Sequence, residues 1–289
     1  MPTIDLDQLT RHRAQTFHLP PAPRISTPEA ALDWVNQRGF VYFWPITGVD
    51  LPSLWTAVAG ERAVADAHDD PGHITWGWKD SALDKRQWYY AKVLRRKATM
   101  ISLEVAPYFY ALSDNYGSPE EDHIIAYQAG RLTLEAKQIY EAILDKGPLH
   151  TLDLRREARL ASKGSDSVFN RALEVLQAGF KILPVGVAEA GAWRYAFIYD
   201  LTARHYPDLP DKARAIGESD ARQKLLELFF ASVGAAQLHD VTRLLGWGNE
   251  LTVRALKRLT DGGQVMGGAA WPGKPGEWYA LSSLVGQGV

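Results

Sequence analysis

The chain has no cysteine. Disulfides, thiolate zinc sites and thiol nucleophiles are therefore excluded, and the absence fits a reducing compartment, with the cytoplasm as the expected location. No apolar run approaches the length of a membrane span, and Met1 to Asp7 lacks a basic stretch leading into an apolar core, so neither a membrane segment nor a secretory leader is predicted. Nor is there a surplus of positive charge. The net charge is −2, whereas a protein that coats nucleic acid indiscriminately owes its affinity to many phosphate contacts; any such face must be local. No cofactor or bound metal is expected, although the two histidines and two carboxylates from His68 to His73 could ligate a hard or borderline metal. What is present is ordinary: 289 residues with 46% hydrophobic content, enough for two or three small domains with real cores and too apolar for wholesale disorder.

The most informative feature is a stretch of similar pattern that occurs twice, near residues 133–200 and again near 219–284. Within it, Ser165 to Phe180 reads as a capped helix stopped by Gly179, and Asn249 to Gly263 reads the same way. At constant offset, Arg171 matches Arg254, Ala172 matches Ala255, Leu173 matches Leu256, Leu176 matches Leu259 and Gly179 matches Gly262. The apolar pairs set a buried stripe, the glycines a stop, and the arginines a cation on the outer face. Upstream of each lie an amphipathic helix (Leu134 to Leu144; Leu225 to Val233) and a shorter one (Leu152 to Leu160; Val241 to Leu245). Downstream comes a hairpin, Ile182 to Tyr199 and Gln264 to Leu281, with Trp193 and Trp278 at matching places as ribbon anchors. Three helices followed by a β-ribbon is the order of a winged helix, whose third helix can enter a major groove while the wing touches backbone. The expected fold is mainly α with small β wings, in tandem winged-helix (helix-turn-helix) domains.

Ahead of the repeats, residues 1–26 read as a helix-prone arm and a Pro-rich connector, Leu19 to Pro23. Residues 27–117 form an N-terminal winged-helix-like domain: Thr27-Pro28 starts a helix that Gly39 ends, Phe40 to Trp44 is a short aromatic strand, and Leu51 to Ala67 is a second helix. Trp76 to Lys97 reads as an amphipathic, aromatic-rich helix with seven cations, Lys79, Lys85, Arg86, Lys92, Arg95, Arg96 and Lys97, against Asp80 and Asp84. The middle winged helix is placed at 118–205. The C-terminal one is placed at 206–289, after a short linker from Tyr206 to Asp211.

The repeat and the N-terminal segment together resemble the AlkZ/YcaQ family of winged-helix DNA glycosylases. That resemblance implies a C-shaped array, of three winged helices if the N-terminal segment is one, and double-stranded DNA as partner. The family carries an aromatic-Val-Gln-apolar-(Asp or Gln)-Pro strand after a helix-ending glycine; here the run is Gly39-Phe40-Val41-Tyr42-Phe43-Trp44-Pro45. Thr75-Trp76-Gly77-Trp78 echoes a second family block. The frame is kept, but both polar positions, Tyr42 and Trp44, have become aromatic. Cleaving an N-glycosidic bond passes through an oxocarbenium-like sugar that a carboxylate or amide stabilises, and neither residue supplies one. A base could still stack on Trp44.

On this reading Asn170, Arg171, Arg254, Lys257 and Arg258 contact DNA from the third helices, Arg194 and Lys274 from the wings, and Arg95 and Arg96 from the basic run. Arg155, Arg156, Arg159 and Lys163 form a further cluster. Acid–base chemistry, if present, falls to Tyr42, Trp44 or the loop His68-Asp69-Asp70-Pro71-Gly72-His73, although Asp-Pro-Gly turn chemistry explains most of that loop without function. Two other readings compete with a DNA-binding monomer: a non-catalytic protein-interaction or transcription-regulatory module, and a hydrolase using the His68 to His73 loop.

Overall fold

A computed structural model of the protein describes residues 2–162, 164–191 and 194–286. It is mainly helical with small sheets, and it divides into two compact units, each drawn from separated stretches of chain.

The first unit comprises residues 1–77, 100–105 and 218–289. Its N-terminal helix, Leu6–Phe17, starts where the Asp5 carboxylate accepts from the amides of Asp7 and Gln8, at 3.0 and 2.9 Å. Such a cap satisfies amides that have no partner within the helix. The helix Pro28–Arg38 starts at Thr27, whose hydroxyl accepts from Ala30 N at 3.2 Å, and stops at Gly39. The strand Phe40–Tyr42 follows, with Phe40, Val41, Tyr42 and Phe43 all buried. Only Leu54–Ala59 of the helix expected over Leu51 to Ala67 forms, because Gly60 adopts φ +85° and ends it.

Gly39 shows why glycine is required at the first stop. Its φ is +80°, and an added Cβ would lie 2.7 Å from Leu228 Cδ1 and 3.3 Å from Val105 Cγ2. Gly39→Ala is therefore expected to destabilise the protein by about 1–3 kcal/mol, through backbone strain and overpacking, read as a lower midpoint in urea.

The same unit holds the C-terminal copy of the repeat: helix Glu218–Val233, strand Ala235–Ala236, helix Leu238–Leu245, helix Asn249–Asp261, then strands Val265–Trp271 and Lys274–Leu281. The short strand pairs antiparallel with Lys274–Leu281, which pairs antiparallel with Val265–Trp271. The N-terminal strand Thr3–Ile4 extends this sheet, parallel to Val265–Trp271 on one side and antiparallel to Val285–Gly286 on the other. Ile4 and Leu9 then share a core with Ala235, Ala269, Trp278, Ala280 and Leu284.

The second unit comprises residues 78–99 and 106–217 and contains the other copy: helix Leu134–Lys146, strand Leu149–His150, helices Thr151–Glu157 and Asp166–Ala178, and strands Ile182–Ala188 and Ala196–Leu201. The pairing order is the same, with the short strand antiparallel to the last strand and the last strand antiparallel to the one before it. Ile139, Ile143, Leu154, Phe169, Leu173 and Leu176 fill the core. The stretch Tyr206 to Asp211 is not an open linker: Tyr206 is buried, its hydroxyl donates to Trp88 O at 2.9 Å, and Leu209–Arg214 is helical.

The helix expected over Trp76 to Lys97 is not one element. Ile74–Leu83 is helical, Tyr89–Lys92 is a strand and Leu94–Arg96 a 3₁₀ turn. Trp88, Tyr89 and Tyr90 are all buried, which a helix face could not achieve for three consecutive rings; a strand covered on both sides does. Tyr89 stacks on Phe180 at 4.5 Å. Burial raises the Tyr89, Tyr90 and Tyr199 phenols above the ordinary tyrosine value of 10.0. A folded-state value above the unfolded one gives stability that is intact below pH 10 and lost as pH rises beyond it. Thermal melts should therefore be flat across mildly alkaline pH and fall steeply above pH 10.

Candidate nucleic-acid interface

The two third helices, Asp166–Ala178 and Asn249–Asp261, bury the predicted stripes: Phe169, Ala172, Leu173 and Leu176 in one, Thr252, Ala255, Leu256 and Leu259 in the other. Arg171 and Arg254 stand on the opposite faces. Both are exposed, and neither has an ion-pair partner among the described residues. Asn170 is exposed beside Arg171, as are Val168 and its counterpart Leu251.

The other cations of these helices are engaged. Lys257 pairs with Asp261 one turn later at 2.6 Å, and Arg258 pairs with Asp220 at 2.8 Å and donates to Ser219 Oγ at 2.8 Å. In the first copy Arg155 pairs with Asp166 at 2.5 Å and lies over the Phe169 ring, while Arg156 pairs with Asp153. Lys163 lies outside the described residues. The inner end of Asp166–Ala178 is also occupied: Lys92 Nζ meets Glu174 at 2.9 Å, and Lys92 N donates to Gln177 Oε1 at 3.1 Å.

On the hairpins, Arg194 pairs with Glu189 at 2.5 Å, and Lys274 Nζ lies 3.8 Å from the Trp271 ring centroid and 5.5 Å from that of Trp278. Trp193, the anchor expected opposite Trp278, lies outside the described residues. Arg95 and Arg96 sit in the 3₁₀ turn packed against Asp166–Ala178; both have positive φ, Arg96 is exposed, and Arg95 Nη1 is buried without a hydrogen-bond partner.

The basic run contains one residue whose environment its sequence did not suggest. Lys79 is 3% exposed. Its ammonium pairs with Asp80, donates to the Tyr195 hydroxyl at 2.9 Å, and lies 4.5, 5.3 and 5.6 Å from the Phe197, Tyr90 and Tyr195 ring centroids. Tyr195 in turn donates to Asp80 at 3.0 Å. Lys79 is therefore not part of a solvated basic face, and burial holds its pKa below the ordinary lysine value. No spacing rule marks it; only the density of neighbouring aromatics in sequence hints that a long side chain there could be covered.

Tyr42 is fully buried, its amide bonded to Pro52 O at 2.9 Å. Trp44, two residues on, is half-buried, with ring centroids 5.0 Å from Phe43 and 6.1 Å from Trp76. In the loop, Asp70 is held by a two-pronged ion pair with Arg62, at 2.9 and 2.5 Å, and accepts from Gly72 N at 2.7 Å. The Arg62 guanidinium keeps the Asp70 carboxyl below its usual range. Asp69 and His68 are exposed, and His73 Nε2 bonds Ala65 O at 2.8 Å. Among the described residues no three His, Asp or Glu side chains are grouped to hold a metal ion.

Residues 25–246, more than half of the chain, match the family model described as AlkZ related. The chain belongs to the AlkZ-related family. No curated protein matches it in sequence. Among solved structures it is similar to the Streptomyces sahachiroi DNA glycosylase AlkZ, at 15% identity and a TM-score of 0.55 over 97% of this chain and 71% of that one. At that identity the likeness concerns the fold. Within an AlkZ-related chain, Tyr42 ends the strand after Gly39 and Trp44 lies two residues beyond it, before Pro45; they offer rings and a phenol, with no carboxylate or amide.

Proposed function

We propose that the two repeated modules are winged helices that bind double-stranded DNA through their third helices, in a DNA-repair-type protein acting on or near damaged or structured DNA. The observation that carries this reading is the pair Arg171 and Arg254. They hold equivalent positions in the two copies, they are exposed, and no carboxylate of the described residues neutralises them, whereas Arg155, Lys257 and Arg258 are all paired. Free guanidinium groups on an exposed helix face suit phosphate and base-edge contacts. Lys257, Arg258, Arg194 and Lys274 would join them by exchanging their present partners for phosphate, with Asn170, Arg95 and Arg96 alongside. The family assignment and the fold shared with a DNA glycosylase point the same way.

Cleavage of a glycosidic bond is not part of this proposal, because Tyr42 and Trp44 lack the group that stabilises an oxocarbenium-like sugar. The protein is read as a cytoplasmic monomer needing no cofactor. A protein partner on the same faces is the second reading, and it rests on Val168, Leu251 and Val253, which are apolar and exposed there.

Anisotropy titrations against plain, abasic and alkylated duplexes, with alkali-induced strand scission as the catalytic readout, separate these readings. Binding of duplex is expected, with no protein-dependent scission of the plain or alkylated duplex. Failure to bind any duplex would leave the protein-partner reading, and abasic product from alkylated duplex would restore a glycosylase.

A further inference from the structure

Two aliphatic side chains stand exposed at equivalent places on the third helices. Val168 is the third residue of Asp166–Ala178 and Leu251 the third of Asn249–Asp261, and they are 42% and 38% exposed. A single exposed aliphatic residue is ordinary on a protein surface. What calls for a reason is its recurrence one turn before Arg171 in one copy and before Arg254 in the other, the two cations without an ion-pair partner among the described residues. Residues three apart are neighbours on a helix surface, so each aliphatic side chain lies next to its arginine. Val253 is exposed as well, but its counterpart is the polar Asn170, and it takes no part in the recurrence.

The two halves of each helix are occupied differently. Towards its C-terminal end, Asp166–Ala178 is engaged by the protein itself, with Lys92 bound to Glu174 and Gln177. Asn249–Asp261 is engaged likewise, with Lys257 held by Asp261 and Arg258 by Asp220. In the first two turns, Val168, Asn170 and Arg171 of one copy and Leu251, Val253 and Arg254 of the other face solvent. In a helix-turn-helix protein the start of the recognition helix is what reaches base edges in the major groove. Glu250, exposed beside Leu251, fits that placement, because a carboxylate is repelled by phosphate but can accept from the amino group of cytosine.

The chemistry open to an aliphatic group at that point is narrow. Base edges in the major groove present donors and acceptors, and the apolar group among them is the 5-methyl of thymine. A protein partner is the competing occupant, yet the core of a protein interface is depleted of charge, and here each aliphatic side chain neighbours an unpaired guanidinium. We infer that Val168 and Leu251 each contact the methyl of a 5-methylpyrimidine in the major groove, while Arg171 and Arg254, one turn on, hold neighbouring phosphates. Duplex binding then carries a sequence preference that owes nothing to damage. The inference deepens the DNA-binding proposal and rests on it.

Selection from a random duplex library with the full chain, followed by anisotropy titrations on the selected duplexes, tests this. Enrichment of thymine is expected. Replacing an enriched thymine by deoxyuridine, which pairs identically and lacks the methyl, should weaken binding about threefold to fourfold for each methyl contacted. Thymine and 5-methylcytosine present the same methyl, so cytosine and 5-methylcytosine are compared at the same position: a gain on methylation assigns recognition to the methyl of either base, and no gain restricts it to thymine. The deoxyuridine replacement should cost Val168→Ala and Leu251→Ala little at the position each reads, because the side chain that met the methyl is gone. Normal duplex binding without thymine enrichment, or with a thymine–deoxyuridine difference that both variants leave intact, would overturn the inference and leave the DNA-binding proposal standing. Failure to bind any duplex would overturn both and leave Val168 and Leu251 to a protein partner.

Discussion

Reversing charge at Arg171 and Arg254 together is expected to lower duplex affinity by about a hundredfold or more at low salt, with roughly a tenfold loss for each single reversal. Neither arginine has an ion-pair partner among the described residues, so its charge is available to displace a counterion from the duplex, and an introduced carboxylate would add repulsion. A sharper comparison lies within one helix. Arg254→Gln should cost more than Lys257→Gln, because the Lys257 charge is already held by Asp261 at 2.6 Å. Both residues are exposed, so thermal melts should scarcely move and the losses can be read as binding. Equal losses at the two positions would mean that the free-arginine pattern does not mark the contact face.

The largest effect on stability is expected at Lys79. Lys79→Ala leaves Asp80 and the Tyr195 hydroxyl without their shared cation and opens a cavity among three rings, a loss of about 3–5 kcal/mol by comparison with other broken buried pairs. Lys79→Met keeps the stem volume between Phe197, Tyr90 and Tyr195 and should recover part of it. The two variants also carry a pH signature. Burial sets the folded-state pKa of Lys79 below the unfolded 10.5, so the unfolded chain holds this proton more tightly. The penalty of burying the charge is complete below the folded-state value and is relieved as pH climbs towards 10.5. Urea titrations of wild type and Lys79→Met, run at neutral pH and again just below pH 10, should therefore show wild type gaining relative to the variant. The tyrosine ionisations are common to both proteins and cancel in the difference.

Much of the architecture is legible without coordinates because the repeat reports it twice. The stripe Leu173, Leu176 and its partner Leu256, Leu259 agree in spacing, and glycine ends both helices, so the two third helices and their outer arginines could be placed. The same approach fails where periodicity is ambiguous. Trp88-Tyr89-Tyr90 sits in a run with helix-like spacing of cations, yet three adjacent rings bury more completely in a covered strand, and tertiary packing decides. Gly60 carried the stop signal that shortened the Leu54–Ala59 helix, although the apolar pattern continued past it.

The site is less legible than the fold, for a physical reason. Charge counts treat Arg171, Lys257 and Lys79 alike, but whether a cation is free, paired or buried depends on partners distant in sequence, such as Tyr195 for Lys79 and Asp220 for Arg258. The run from Phe40 to Trp44 shows that a polar pair has been replaced, but the meeting of Trp44 with Trp76 could not be read from spacing.

The salt dependence of duplex binding tests the central claim most directly. With an unmodified duplex, log Kd plotted against log salt should rise with a slope of about 2 or more, roughly 0.9 for each phosphate neutralised, and the Arg171→Glu, Arg254→Glu double variant should lose about 2 from it. A flat dependence in wild type, or a slope that the double variant leaves intact, would contradict a DNA-binding role for these helices.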